Sequence, residues 1–252
     1  LYFALWVTVD HDGQDILYST ALSLSMLAVA LSVPVFGALS DTTRKRRVPL
    51  IGLTLLCIFS TGMIGTTNHL WTGLILFMVA NYGYQSALVF YNGMLPSISR
   101  GSHVGLVSGY GVALGYLGSI LGMVLVKPFV ESGGRSAAFL PTAGLLLLFS
   151  LPCFLFVKDH NTRSAPLFRI KEAFNTLKET FLRARQYYSL FRFILIHFLV
   201  LDAVNTIIAF MSVYASKVIG FDDGQIIKFL ISSTAGAMVG SLIIGILVKR
   251  KG

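Results

Sequence analysis

Charge is what this sequence has least of. Only 12% of its 252 residues are charged, where a soluble domain carries about 25%. That little charge cannot cover a soluble globule of this length. Cysteine is scarce too. The two present, Cys57 and Cys153, lie inside apolar runs, so they read as small core residues and neither as a disulfide nor as a zinc site. There is no Asn-x-Ser/Thr sequon, hence no sign of N-glycosylation. No basic region precedes the first apolar run, so no signal peptide is visible. No P-loop exists, and Gly109-x-Gly111-x-x-x-Gly115 misses the dinucleotide spacing. No cofactor is therefore expected. No metal cluster, no His/Glu pair at i, i+4 within a span and no nucleophile beside a base is visible, so an enzyme is not expected either.

What is there is apolar: 55% hydrophobic residues, 12% aromatics and 24 glycines. A membrane helix needs about 20 mostly apolar residues. Seven such spans are expected, at about 16–39, 48–66, 70–95, 104–130, 137–157, 189–216 and 225–248, after an apolar remnant at 1–9. The fold class is all-α, a polytopic membrane helix bundle. The chain opens on Leu1 inside an apolar run and stops at Gly252 directly after the last span. It reads as a fragment, cut inside its first helix.

The net charge of +9 raises nucleic acid as a partner. Its placement points elsewhere. Of the 20 Lys and Arg, 16 fall in alternate loops: Arg44–Arg47, Arg100, eight from Lys158 to Arg192, and Lys249–Lys251. The opposite loops hold Lys127, Arg135 and Lys217 against Asp10, Asp12, Asp15, Glu131, Asp222 and Asp223. Lys and Arg concentrate in short cytoplasmic loops, so the basic loops are expected in the cytoplasm and no nucleic acid is expected. The loop 158–188 carries Leu167, Ile170, Phe174, Leu177 and Phe181 at helical spacing. It reads as an amphipathic linker helix on the inner leaflet. Lys228, inside the last span, reads as snorkelling to the interface.

The chain also repeats itself. Asp12-Gly13-Gln14 precedes the second helix, and Asp223-Gly224-Gln225 precedes the last. Gly37-x-Leu39 and Gly245-x-Leu247 each close a helix before a basic cluster, and Tyr2 matches Tyr214. A parallel repeat of six helices places residues 1–157 in one half, 158–188 in a linker and 189–252 at the start of a second half. Secondary transporters with parallel repeats hold their site between the halves near mid-membrane.

Several residues stand out as site candidates. Asp202 is an acid near mid-span, where a charge costs at least about 2.5–3.5 kcal/mol; with Asn205 and Thr206 it reads as a substrate or coupling site, or as a neutral, hydrogen-bonded group joining helices. His197 lies about 140° away around the helix and reads as a packing residue. Asn81, Tyr84, Gln85, Tyr91 and Asn92 form a polar stripe on one face of the fourth span, which reads as a cavity wall or as interhelical hydrogen bonding. Gly111, Gly115, Gly118 and Gly122 form a flat ridge suited to helix packing.

The run Gly37-Ala38-Leu39-Ser40-Asp41-Thr42-Thr43-Arg44-Lys45-Arg46 resembles the signature of the major facilitator superfamily at Gly37, Leu39, Asp41, Lys45 and Arg46. Thr42 stands in place of a basic residue and Arg44 in place of a glycine. The second copy, Gly245 to Gly252, has Lys249 where the acid belongs. Phe90-Tyr91-Asn92-Gly93-Met94-Leu95-Pro96 and Ser108-Gly109-Tyr110-Gly111-Val112-Ala113-Leu114-Gly115-Tyr116-Leu117-Gly118 are similar to stretches of one branch, the autophagy-related vacuole effluxers and their bacterial relatives. The Asp202…Asn205-Thr206 segment is similar too, with Ala203 in place of a glycine. The resemblance implies a twelve-helix secondary transporter in a plasma or vacuolar membrane. It implies a small-molecule substrate, with amino-acid efflux for fungal vacuolar members, and a coupling proton or cation as a further partner beside the lipid bilayer. It also implies that Asp41 is a gating latch. A polyspecific drug or metabolite exporter of the same fold, or a non-transporting receptor or scaffold, are the alternatives.

Overall fold

The computed structural model describes residues 2–11, 13–43, 46–98, 104–157 and 188–251, with the side chains of 41–43, 95–98, 104–105, 188, 190, 194 and 248–251 left out of the description. The linker 158–187, Asp12, Arg44, Lys45 and Arg100 lie outside the described residues, and with them the expected amphipathic helix. Among the described residues there are helices and no strands. They are α1 (Tyr2–Leu5), α2 (Asp15–Thr43), α3 (Arg47–Ile64), α4 (Leu70–Ile98), α5 (Val104–Gly133), α6 (Phe139–Phe156), α7 (Tyr188–Tyr214) and α8 (Asp223–Lys251). Seven of them are long and apolar enough to cross a membrane, at the seven expected spans.

Burial is inverted relative to a soluble protein. Leu31 is 71% exposed and Phe156 79%, whereas buried positions include Ser25, Ser40, Ser60, Ser86 and Ser212. So much exposed apolar surface marks a lipid-facing exterior. The contacts between turns fix the alternation of the helices. At one end Arg47 donates to the Phe154 carbonyl, and Arg46 to the Gly93 carbonyl. At the other end Arg135 meets Asp10 and Asp223, and Lys217 meets Asp15. We call these the basic end and the acidic end.

Three packing seams organise the bundle: α3 on α4, α2 on α4, and α5 on α8, with α6 against α3. Glycine permits two of the close approaches. A Cβ at Gly83 would sit 2.8 Å from the Leu53 carbonyl oxygen and 3.1 Å from the Cys57 nitrogen, so α4 touches the α3 backbone there. A Cβ at Gly109 would sit 3.1 Å from the Gly245 Cα, so α5 and α8 cross backbone to backbone. Cys57 is buried, Cys153 half-buried, and both are free thiols; Cys153 packs on the Leu50–Ala87–Phe90–Met94 cluster.

The repeat has a structural counterpart, in a shifted register. After α1 a π-turn spans Trp6–Asp10, and after α7 one spans Ala215–Ile219. The Gly13 N–H closes the first onto the Val7 carbonyl, and the Phe221 N–H closes the second onto the Ala215 carbonyl, each at 2.9 Å. Helices α2 and α8 then start at Asp15 and Asp223. The donors of the two closing bonds lie 208 residues apart, and so do their acceptors, the two helix starts, and Gly37 and Gly245. The two Asp-Gly-Gln triplets, 211 apart, are thus three residues out of register. The second belongs to a helix cap instead: the Asp222 N–H donates to Gln225 Oε1 at 3.0 Å, and the Gln225 N–H to Asp222 Oδ1 at 2.7 Å, a reciprocal capping arrangement.

Because the Leu53 carbonyl cannot retreat from a helix, Gly83→Ala is expected to cost about 1–3 kcal/mol by overpacking. Gly115→Ala, where a Cβ meets nothing within 4 Å, should be close to neutral. Thermal unfolding of the full-length protein in detergent checks both, and equal midpoints would refute the α3–α4 spacing.

Candidate functional site

The α2–α4 seam is polar on a regular step. Ser25, Ser32 and Ser40 lie seven and eight residues apart, on one face of α2. Ser25 accepts from Asn81 Nδ2 at 2.7 Å, Ser32 from the Tyr82 hydroxyl at 3.0 Å and Ser40 from Arg46 Nε at 2.8 Å. Ser25 and Ser32 also donate to their own helix, at the Leu22 and Ala28 carbonyls. Two of the serines, Ser25 and Ser32, therefore both donate and accept.

Beside it a cavity of about 970 Å³ opens between α3, α4, α5 and α6, with Tyr2 and Phe3 at the start of α1 in its wall. Asn81 and Tyr84 line it, with Thr61, Ser119 and Thr142 as further polar groups and no charged side chain. The Tyr2 hydroxyl is buried there without a hydrogen-bond partner among the described residues. The rest of the expected stripe is elsewhere: Gln85 is half-buried, Tyr91 and Asn92 are exposed, and none of the three lines the cavity. Tyr91 reaches α5, where its hydroxyl would lie 3.8 Å from a Cβ at Gly111.

The glycine ridge lies largely along the cavity. Gly115, Gly118 and Gly122 form part of the cavity wall, and a Cβ on any of them would meet nothing within 4 Å. At the fourth ridge position, Gly111, the Tyr91 hydroxyl of α4 comes within 3.8 Å of a Cβ, and the backbone-to-backbone crossing on α5 is at Gly109, outside the ridge. The spacing identified a smooth face but not what lies against it.

At the basic end the signature residues divide. Gly37 faces open space, and Leu39 packs on the cluster that holds Leu50 and Phe90. Asp41 falls in the last turn of α2, its side chain outside the description, as is all of Lys45. Arg46 bridges Ser40 of α2 to the Gly93 carbonyl of α4. Arg47 covers the Phe154 carbonyl in the last turn of α6, the negative end of that helix.

Asp202, Asn205 and Thr206 are exposed on α7 and do not line the cavity. That helix is exposed from Leu195 through Ile208, and buried only near its acidic end, at Ser212 and Val213. There Phe210 meets Tyr18 of α2, ring centroids 5.5 Å apart. His197 is exposed and stacks on Phe193 at 5.9 Å, a contact within its own helix and not core packing. Lys228 is exposed on α8. Sequence reasoning missed the acidic-end cluster of Arg135, Asp10, Asp223, Asp15 and Lys217. Its signal was present as the few bases set among many acids.

Seven apolar spans, a duplicated helix–π-turn–helix and a signature loop stapling α2 to α4 define a polytopic helix bundle of the major facilitator type. The family model described as "Vacuole effluxer Atg22 like" matches residues 16–252, and the chain belongs to that family. It is 26% identical over 242 residues to the "Uncharacterized MFS-type transporter YxiO" of Bacillus subtilis (strain 168), covering 91% of this chain and 56% of that protein. It is 26% identical over 253 residues to an "Uncharacterized protein" of Aquifex aeolicus (strain VF5), covering 99% of this chain and 61% of that one. The chain thus spans under two thirds of the length of these relatives. No solved structure matches it.

Because Arg46 holds two helices with one guanidinium, Arg46→Ala should lower stability by about 1.5–3 kcal/mol, the range for a hydrogen bond to a charged group. The unfolding midpoint of the full-length protein measures this, and an unchanged midpoint would show that the staple contributes nothing.

Proposed function

We propose that the full-length protein is a secondary active transporter that moves a small solute across its membrane by alternating access between two six-helix halves. The observation that carries this reading is the duplication: the bonds that close the two π-turns and the helix starts that follow recur at a constant offset of 208 residues. Parallel repeats of that kind set a solute path between two halves. Family membership supports the same class. In this reading residues 1–157 are the first half, 158–188 the linker and 189–252 the start of the second half. The basic end faces the cytoplasm, as the placement of 16 basic residues supports.

Asn81 and Tyr84 contact the solute, and Gln85, Tyr91 and Asn92 continue the polar path toward the basic end. Asp202, with Asn205 and Thr206, couples a proton or cation, since an acid exposed on an apolar helix needs a partner. Gly37, Leu39, Asp41, Lys45 and Arg46 form the basic-end gate. Amino acids are the first solutes to test. A second reading, a polyspecific exporter of neutral solutes, is favoured by the cavity wall without a charged side chain.

Full-length protein in proteoliposomes, offered single amino acids with and without an imposed pH gradient, separates these readings. Accumulation that follows the gradient supports the first. Gradient-driven export of apolar dyes without amino-acid transport supports the second, and no transport of either class defeats both. Asp202→Asn should abolish gradient-driven accumulation while leaving exchange of bound solute; unchanged accumulation removes Asp202 from coupling. Asp41→Ala should shift the balance between the two access states in cysteine-accessibility labelling, and an identical labelling pattern removes it from the gate.

A further inference from the structure

Arg135 sits in a short 3-10 turn between α5 and α6, behind Gly134 at φ 74°. Its guanidinium meets two carboxylates. Nε donates to Asp223 Oδ2 at 3.1 Å and Nη2 to Asp223 Oδ1 at 2.9 Å, a fork on a carboxylate that fixes orientation as well as distance. Nη1 donates to Asp10 at the end of the first π-turn. The Arg135 side chain is 17% exposed and both acids 31%. Asp223 is the first residue of α8, at the positive end of the helix dipole, and the Asp222–Gln225 cap holds that end in place. A second pair crosses in the opposite sense. Asp15, the equivalent first residue of α2, accepts from Lys217 after α7 at 2.7 Å, with exposures of 53% and 38%.

Each second helix therefore begins with an acid that reaches a base carried by the other part of the chain. Both ties lie at the acidic end. Toward the basic end the same two parts meet backbone to backbone at Gly109 and Gly245. From Gly109 to Gly133 along α5 is about 36 Å, so a rotation of about 5° at the glycine crossing would move the acidic end by ~3 Å. That is enough to part an ion pair and too little to unpack the crossing. Partly exposed pairs regain water when they separate, which suits a contact made and broken repeatedly.

We propose that the Arg135–Asp223 fork is the latch that holds the acidic end shut, with Asp10 setting the guanidinium plane and Lys217–Asp15 as a weaker second tie. The proposal rests on the alternating-access reading and names the device that closes one end of it. Asp10 acts here as a positioning residue, and neither it nor Arg135 lines the cavity.

The test measures opening directly. Full-length protein in lipid nanodiscs, with Cys57→Ser and Cys153→Ser as background, carries spin labels at exposed Ser132 and Val218, on either side of the acidic end. Arg135→Gln and the isosteric Asp223→Asn should each raise the long-distance fraction at least threefold, and Lys217→Gln should raise it less. The double variant should open no further than either single one, because both remove the same interaction. Unchanged distances in Asp223→Asn, or additive effects in the double variant, would overturn the latch. Should Arg135→Gln not fold, Asp223→Asn against Lys217→Gln decides by the same ranking. Transport is read separately: open distances in a protein that moves no solute would keep the latch and defeat the transport reading, whereas transport with unaltered distances would do the reverse.

Discussion

Hydrocarbon offers no hydrogen-bond partner, so a polar group inside a membrane bundle must find one within the protein. The seam between α2 and α4 follows from that constraint. Its serines are spaced by two helical turns, each facing a donor from α4 or from the loop after α2. An apolar seam could slide by a turn at little cost. This one favours a single register, because a shift would part the Asn81 amide from Ser25 and the Tyr82 hydroxyl from Ser32. The register of α4 in turn sets Gly83 against the α3 backbone, aims Asn81 and Tyr84 at the cavity, and puts Gly93 within reach of Arg46.

At the ends of the bundle water is available and charge takes over. The basic end uses arginine to cover backbone carbonyls near helix C-termini, a match to the dipole. The acidic end uses first-turn acids at helix N-termini, the complementary match, and sets Arg135 and Lys217 against them. One distribution of charge thus does two jobs. It distinguishes the two ends of the bundle, and it supplies the partners that tie residues 188–251 to residues 2–157. Arg135 and Lys217, exceptions in a tally of sidedness, are the ties themselves.

Much of the site was only half legible in the sequence. The polar stripe on α4 was visible as spacing, yet it divides into cavity-lining Asn81 and Tyr84 and outward Tyr91 and Asn92. Helical periodicity gives a face and not its neighbour. The glycine ridge shows the same limit: four small residues mark a smooth surface, of which Gly115, Gly118 and Gly122 line the cavity and Gly111 faces Tyr91. The repeat was detectable from its triplets, but the triplets were the wrong landmark. The shared feature is a backbone turn closed from Val7 to Gly13 and from Ala215 to Phe221, whose residues differ between the copies because a π-turn constrains hydrogen bonding more than side-chain identity.

By itself the sequence determined the seven apolar spans found among the described residues, their alternation and the separation of charge between the two ends. Those properties depend on length, hydropathy and charge summed over whole segments. Only the tertiary structure decided which glycines are packed, which polar residues share a cavity, and which base meets which acid across 88 or 202 residues of chain. Such pairings depend on the rotation and depth of one helix against another, and no local pattern in the chain encodes them.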